Sequence, residues 1–159
     1  MRRIASLTVI ERGILLFWGL WFALAASADV SNFLQVIAWI PMDFPFSSKN
    51  YDLVVQSFHT YGVHQPSLLV FCYGCIIVWA FVIALAFLMA FLRPNHKALA
   101  HNAFLISFML TAFFILMDEI FLQYEFEHNH VVRLGFQLLT FVVFYLLSQK
   151  PNALKHSLH

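Results

Sequence analysis

The sequence predicts an all-α integral membrane protein, a four-transmembrane-helix bundle with one long outer loop, and three observations lead there. Of the 159 residues 62% are hydrophobic and only 11% are charged, whereas a soluble domain carries about a quarter charged residues and cannot hide so much apolar surface in one core. Four apolar stretches, 13–34, 68–92, 102–121 and 131–147, are long enough to cross about 30 Å of hydrocarbon at about 1.5 Å per residue. Lys and Arg, finally, gather in alternate connections, as they do in membrane proteins.

The first helix, from Gly13 to Leu34, is interrupted by Asp29 and Asn32 and can run past the membrane surface toward Trp39. Arg2 and Arg3 before an apolar run, with Ala26-Ser27-Ala28 after it, have the form of a signal peptide and its cleavage site. The apolar stretch nevertheless continues through Val30, Phe33 and Leu34, so a retained helix is expected. The outer loop spans 40–65, where Pro41, Pro45 and Gly62 break regular structure and Asp52 to Tyr61 is expected as a short amphipathic helix on the surface. The second helix starts after Pro66 and Ser67 and is stopped by Arg93-Pro94-Asn95. The third and fourth helices, 102–121 and 131–147, are joined by a short polar segment. With no internal repeat, residues 1–159 read as a single domain.

Placing the N-terminus in the cytoplasm puts Arg2, Arg3, Arg12, Arg93, Lys97, Lys150 and Lys155 inside and leaves only Lys49 and Arg133 outside. Both termini are then cytoplasmic, and a bacterial inner membrane is the expected location. Except for Glu11, the acids collect at the outer face. No Lys/Arg cluster is dense enough for a row of phosphates, so nucleic acid is excluded as a partner. The lipid bilayer and other membrane subunits are the partners expected.

Ionisable groups in membrane helices are costly unless paired, wet or functional. Asp29, Asn32 and Gln35 recur every three residues and form one polar stripe on the first helix. Asp118 and Glu119 end the third helix, and Arg133 opens the fourth. Asp29, Asn32, Asp118, Glu119 and Arg133 are therefore the candidate cofactor-binding residues of an outer pocket. Glu125-x-x-His128 has the i, i+3 spacing that lets one helix offer two ligands, which with His130 makes Glu125, His128 and His130 the candidate ligands of a transition metal. The plainer alternative is a wet loop with Asp118 paired to Arg133. His96, His101, His156 and His159 are expected in the cytoplasm, and His59, His64, His128 and His130 outside. A haem held halfway across by two of the chain's own imidazoles is therefore not expected.

Cys72-Tyr73-Gly74-Cys75 lies near the outer start of the second helix. Here the chain resembles the bacterial disulfide-bond-forming protein B family, quinone-reducing four-helix bundles with cytoplasmic termini and a Cys-x-x-Cys at this place. That resemblance implies oxidation of a periplasmic thiol oxidase with electrons passed to quinone. The sequence departs from the family in two respects: the second outer loop has no Cys, and Ile76, Ile77, Val78 and Trp79 follow the tetrad where an Arg would hold the quinone. Packing as small hydrophobes is the competing reading of these thiols.

Three functions from different classes follow. The first is a small accessory or structural subunit of a larger membrane oxidoreductase complex. The second is an enzyme or cofactor-binding module with an outer-face metal or quinol site, and a thiol–quinone oxidoreductase is a further variant of it. The third, a transporter, lacks polar residues on the inner half to complete a path.

Overall fold

A computed structural model describes residues 2–93, 97–122 and 124–153, with the side chains in these segments except those of 2–8, 125, 126 and 150–153. The described residues form five helices and no strand: α1 (Arg2–Val36), α2 (Asn50–His59), α3 (Pro66–Leu92), α4 (Lys97–Ile120) and α5 (Tyr124–Ala153). Four contain apolar spans, Val9–Val36, Pro66–Leu92, Lys97–Ile120 and Glu127–Gln149, long enough to cross a bilayer. The chain is a four-span helical membrane protein. The end carrying the termini is called the terminal end below, and the other the loop end.

Local chemistry explains where the helices stop. α3 opens on Pro66, whose missing N–H has no partner to lose at a first helical position. It ends at Arg93, which is extended at φ −89 and ψ 143 as the residue before Pro94 must be. α1 runs beyond 13–34 at both ends and closes with two reversed bonds, Trp39 N–H to Leu34 O at 2.9 Å and Ala38 N–H to Gln35 O at 2.9 Å. This is a Schellman closure with Ala38 in the left-handed region at φ 58. α2 closes likewise on Gly62 at φ 72, where Val63 N–H reaches Phe58 O at 3.1 Å. After α4 it is Leu122 that turns left-handed, at φ 57. Only one of these three turns uses glycine, so two of them carry no composition signal.

α5 starts at Tyr124, not near 131. The polar segment read as a loop is thus the first two turns of a helix, which decides the geometry of the site. The short helix expected over Asp52–Tyr61 is present as α2, two residues earlier.

α1 packs along α3, α4 along α3 and α5, and a smaller contact joins α1 to α5. Leu15, Trp18, Phe22 and Ala26 recur on one face of α1 and are buried against Ala80, Ile83, Ala84 and Phe87 of α3. Small side chains let these backbones approach. A Cβ on Gly19 would stand 2.8 Å from Leu88 Cδ2 and 2.9 Å from its Cγ. Toward α4 and α5 the core is aromatic: Phe87 meets Phe104 edge-on at 5.0 Å, and Phe104 contacts Phe141 at 5.2 Å and Phe144 at 5.9 Å. Large apolar side chains cover the outward faces, among them Phe71, Leu85, Leu116 and Leu139. Such a surface is unstable in water and at home in lipid.

Candidate functional site

The polar stripe of α1 survives folding intact. Asp29, Asn32 and Gln35 are all buried, at 7%, 7% and 6% exposure, which in a membrane span demands partners. The loop after α1 supplies them by folding back along the helix. Gln35 Nε2 donates to Pro41 O at 3.2 Å and Met42 O at 3.0 Å, and Ser47 donates to Gln35 Oε1. Ser48 N–H bonds Ala28 O at 3.1 Å, Asn50 Nδ2 donates to Asp29 Oδ1 at 2.7 Å, and Tyr51 N–H donates to Asn32 Oδ1 at 3.0 Å. From α3 the hydroxyl of Tyr73, 1% exposed, stands at 3.2 Å from Asp29 Oδ1, 3.1 Å from Asn32 Oδ1 and 3.2 Å from Ser48 Oγ. Tyr73 is the hub joining α1, α3 and the loop.

α2 then crosses the loop end. Its far side is tied by Tyr61, whose hydroxyl donates to Ile120 O at the end of α4. Beneath it lies a cavity of about 430 Å³ lined from all five helices, within the range of ligand sites. Leu53, Val54, Ser57 and Phe58 of α2 roof it. Its walls are largely aromatic, with Phe22, Trp79, Phe114 and Phe121 among them. Trp21, Ala25, Phe71 and Cys75 line it too and are exposed on span faces, so the cavity meets the lipid-facing surface sideways while α2 covers its end.

Its charged groups are few. Asp118, 8% exposed, pairs with His130, Oδ2 to Nδ1 at 2.5 Å, the one ion pair among the described residues. The imidazole stacks on Phe114 at 5.1 Å and 25°. Nδ1 is thereby committed to the carboxylate, and Nε2 has no hydrogen-bond partner among the described residues. Arg133, one turn along α5, shares the wall and interacts electrostatically with Asp29. Two carboxylates, one guanidinium and one imidazole thus face one apolar space.

Set against the sequence expectations, Asp29, Asp118, Arg133 and His130 come together on the cavity wall. Asn32 stands behind it and holds the loop. Glu119 does not join them: it follows Asp118 by one residue, a rotation of about 100° on a helix, and is exposed. The Asp118–Arg133 pair is replaced by Asp118–His130, because α5 begins before 130 and presents His130 to α4. His128, two residues from His130, is exposed, and the side chain of Glu125 lies outside the described residues. Among the described residues no group of three or more His, Cys, Asp or Glu is placed to hold a metal ion. Cys72 and Cys75 are both free thiols on the cavity wall. His101 lies in the first two turns of α4, against Phe141, Phe144 and Tyr145.

Sequence reasoning missed Tyr73 and Asn50. A hydroxyl in the apolar run of α3 was the available signal for Tyr73, since a buried phenol needs a partner. Asn50 carries no signal, because only the loop's return path brings it to Asp29. The chain matches no protein-family model, no curated protein and no solved structure.

Proposed function

We propose that this chain is a membrane-embedded binding module that holds a neutral, flat, amphipathic ligand of the quinone and quinol class in the loop-end cavity, as a subunit of a membrane oxidoreductase complex. The observation that carries the reading is the Asp118–His130 pair facing an aromatic-walled cavity that reaches the lipid-facing surface. The imidazole Nε2 and the second carboxylate oxygen can accept from a ring hydroxyl, and the Arg133 guanidinium on the same wall can donate to a ring carbonyl, which suits a ring that is hydroxyl in one state and carbonyl in the other. Arg133 offsets one of the two carboxylates, and the largely apolar wall leaves a charged headgroup poorly solvated, which favours a neutral one. Aromatic walls favour a planar ring, and the sideways opening favours a ligand dissolved in the bilayer. We also place the protein in a bacterial inner membrane with both termini in the cytoplasm. The support for that is the Lys/Arg asymmetry.

Trp21 and Trp79 line the cavity, so binding has an optical readout. The protein is reconstituted in nanodiscs and titrated with a short-tailed benzoquinone, which quenches indole fluorescence. Saturable quenching is expected, about tenfold weaker in affinity for Asp118→Asn or His130→Gln, each of which removes a hydrogen bond to a charged group of about 1.5 kcal/mol or more. Glu119→Gln, on the exposed side, should leave the curve unchanged. Quenching that rises linearly with quinone, and equally in all variants, would mean that the cavity does not select this ligand.

A second reading, an accessory subunit with a purely structural role, is favoured by α5. The α5 span is 17% buried against 33–39% for the other three, which leaves the most open face of the bundle for a neighbouring helix. Gentle purification with identification of stoichiometric partner subunits, cross-linked through Leu139→Cys, supports it. Isolation of the chain alone at native expression counts against it.

A further inference from the structure

The turn between α2 and α3 brings two imidazoles together, away from the cavity wall. His59 is the last residue of α2, and His64 stands two residues before Pro66, which opens α3. Their ring centroids lie 4.4 Å apart at an interplanar angle of 61°. The closure of α2 produces this meeting. Gly62 turns left-handed at φ 72, with its N–H on His59 O at 3.0 Å and Val63 N–H on Phe58 O at 3.1 Å, and the reversal returns His64 to His59. Both residues are exposed, and neither ring has a hydrogen-bond partner among the described residues.

Ring contact alone would hold such a pair, but an imidazole also carries a lone pair, and neutral imidazole is the commonest metal ligand among side chains. The spacing bears on which ion fits. A metal-bound imidazole nitrogen lies about 2.0–2.1 Å from the ion, which puts the ring centroid about 3.2 Å from it. Two rings bound at a right angle, as neighbouring ligands of a tetragonal ion are, then stand about 4.5 Å apart, whereas at the tetrahedral angle they stand about 5.2 Å apart. The 4.4 Å spacing matches the right-angled pair. Exposed side chains can turn their nitrogens toward one ion without disturbing a core, and the C-terminal end of α2 adds the negative end of its dipole.

We propose that His59 and His64 form a two-imidazole site for one tetragonal first-row ion, Cu(II) or Ni(II), with water in the remaining positions. The ligand set stops at two, in keeping with the absence of any group of three His, Cys, Asp or Glu around an ion among the described residues. A bound ion ties the end of the roof helix α2 to the entry of α3. The site needs neither the cavity nor its occupant, so it stands apart from the ligand reading.

Titration with Cu(II) in a non-coordinating buffer, followed by low-temperature electron paramagnetic resonance, tests it. The full chain in nanodiscs carries Cys72→Ala and Cys75→Ala, which removes the thiols that would reduce the ion, and His156→Ala and His159→Ala, which removes another closely spaced histidine pair. The first equivalent of Cu(II) should give a tetragonal spectrum coupled to two imidazole nitrogens. His59→Ala and His64→Ala, both at exposed positions, should each weaken binding by about tenfold or more, because the second ring binds intramolecularly at a high effective concentration. His128→Ala should change nothing. A first equivalent coupled to one nitrogen overturns the proposal. So does binding that either His59→Ala or His64→Ala leaves as tight as before, or no binding below millimolar Cu(II).

Discussion

Replacing Tyr73 by Phe removes one oxygen and keeps the ring, including its 5.6 Å contact with Tyr51. The hydroxyl has a single proton to offer among Asp29 Oδ1 at 3.2 Å, Asn32 Oδ1 at 3.1 Å and Asp29 O at 3.3 Å. All are longer than the usual O–H···O separation of about 2.7–2.8 Å, so one donated bond is shared rather than three being made. Neither side-chain acceptor is orphaned by the substitution, because Asp29 Oδ1 keeps Asn50 at 2.7 Å and Asn32 Oδ1 keeps Tyr51 N–H at 3.0 Å. The expected loss is therefore a net hydrogen-bond contribution, about 1.5 kcal/mol and no more than about 3. Reversible unfolding in bicelles, followed by steric trapping, measures it. Hydrogen exchange should localise it, with faster exchange at the Ser48 and Tyr51 amides that anchor the loop and no change across the α4–α5 contact. Asp29→Ala, which removes the acceptor of Asn50 and one of those of Tyr73, should cost more than Tyr73→Phe. If the two substitutions cost the same, or Tyr73→Phe costs less than about 0.3 kcal/mol, the hydroxyl is not the hub.

Gly19→Ala should destabilise the bundle by about 1–3 kcal/mol, the ordinary penalty of overpacking, since its Cβ would lie 2.8 Å from Leu88 Cδ2; the same unfolding assay should show Leu88→Ala relieving part of it. Replacing Cys72 and Cys75 together with Ala should leave quinone quenching and stability within about 1 kcal/mol of the parent, as for partly exposed small hydrophobes. A reversible disulfide found by thiol labelling, with lost function in the double variant, would instead restore the thiol–quinone reading. Reporters active on one side of the membrane, fused at Lys49 and after the last residue, should report opposite compartments, with the C-terminal fusion cytoplasmic.

The fold class was legible in composition and in four apolar runs because lipid imposes it: backbone groups unpaired in hydrocarbon leave helices as the economical way to cross. The second span could be bounded within two residues, since proline acts on its immediate neighbours. The last residues of α1 and α4 also came within two of those expected, although Ala38 and Leu122 close them in left-handed turns; it was their starts, Arg2 against 13 and Lys97 against 102, that lay further out, because polar and charged residues continue a helix past the apolar run that marks it. Asp29, Asp118 and Arg133 could be singled out one at a time, as charges costly in a membrane. Who pairs with whom was decided only by the tertiary structure. Extending α5 to Tyr124 carries His130 to Asp118 and leaves Glu119 outside, and the loop's return along α1 turns Asn32 from a site residue into an anchor beside Gln35. A residue's cost is a property of its own chemistry and surroundings, whereas a contact depends on helix register and chain path, which a single side chain does not encode.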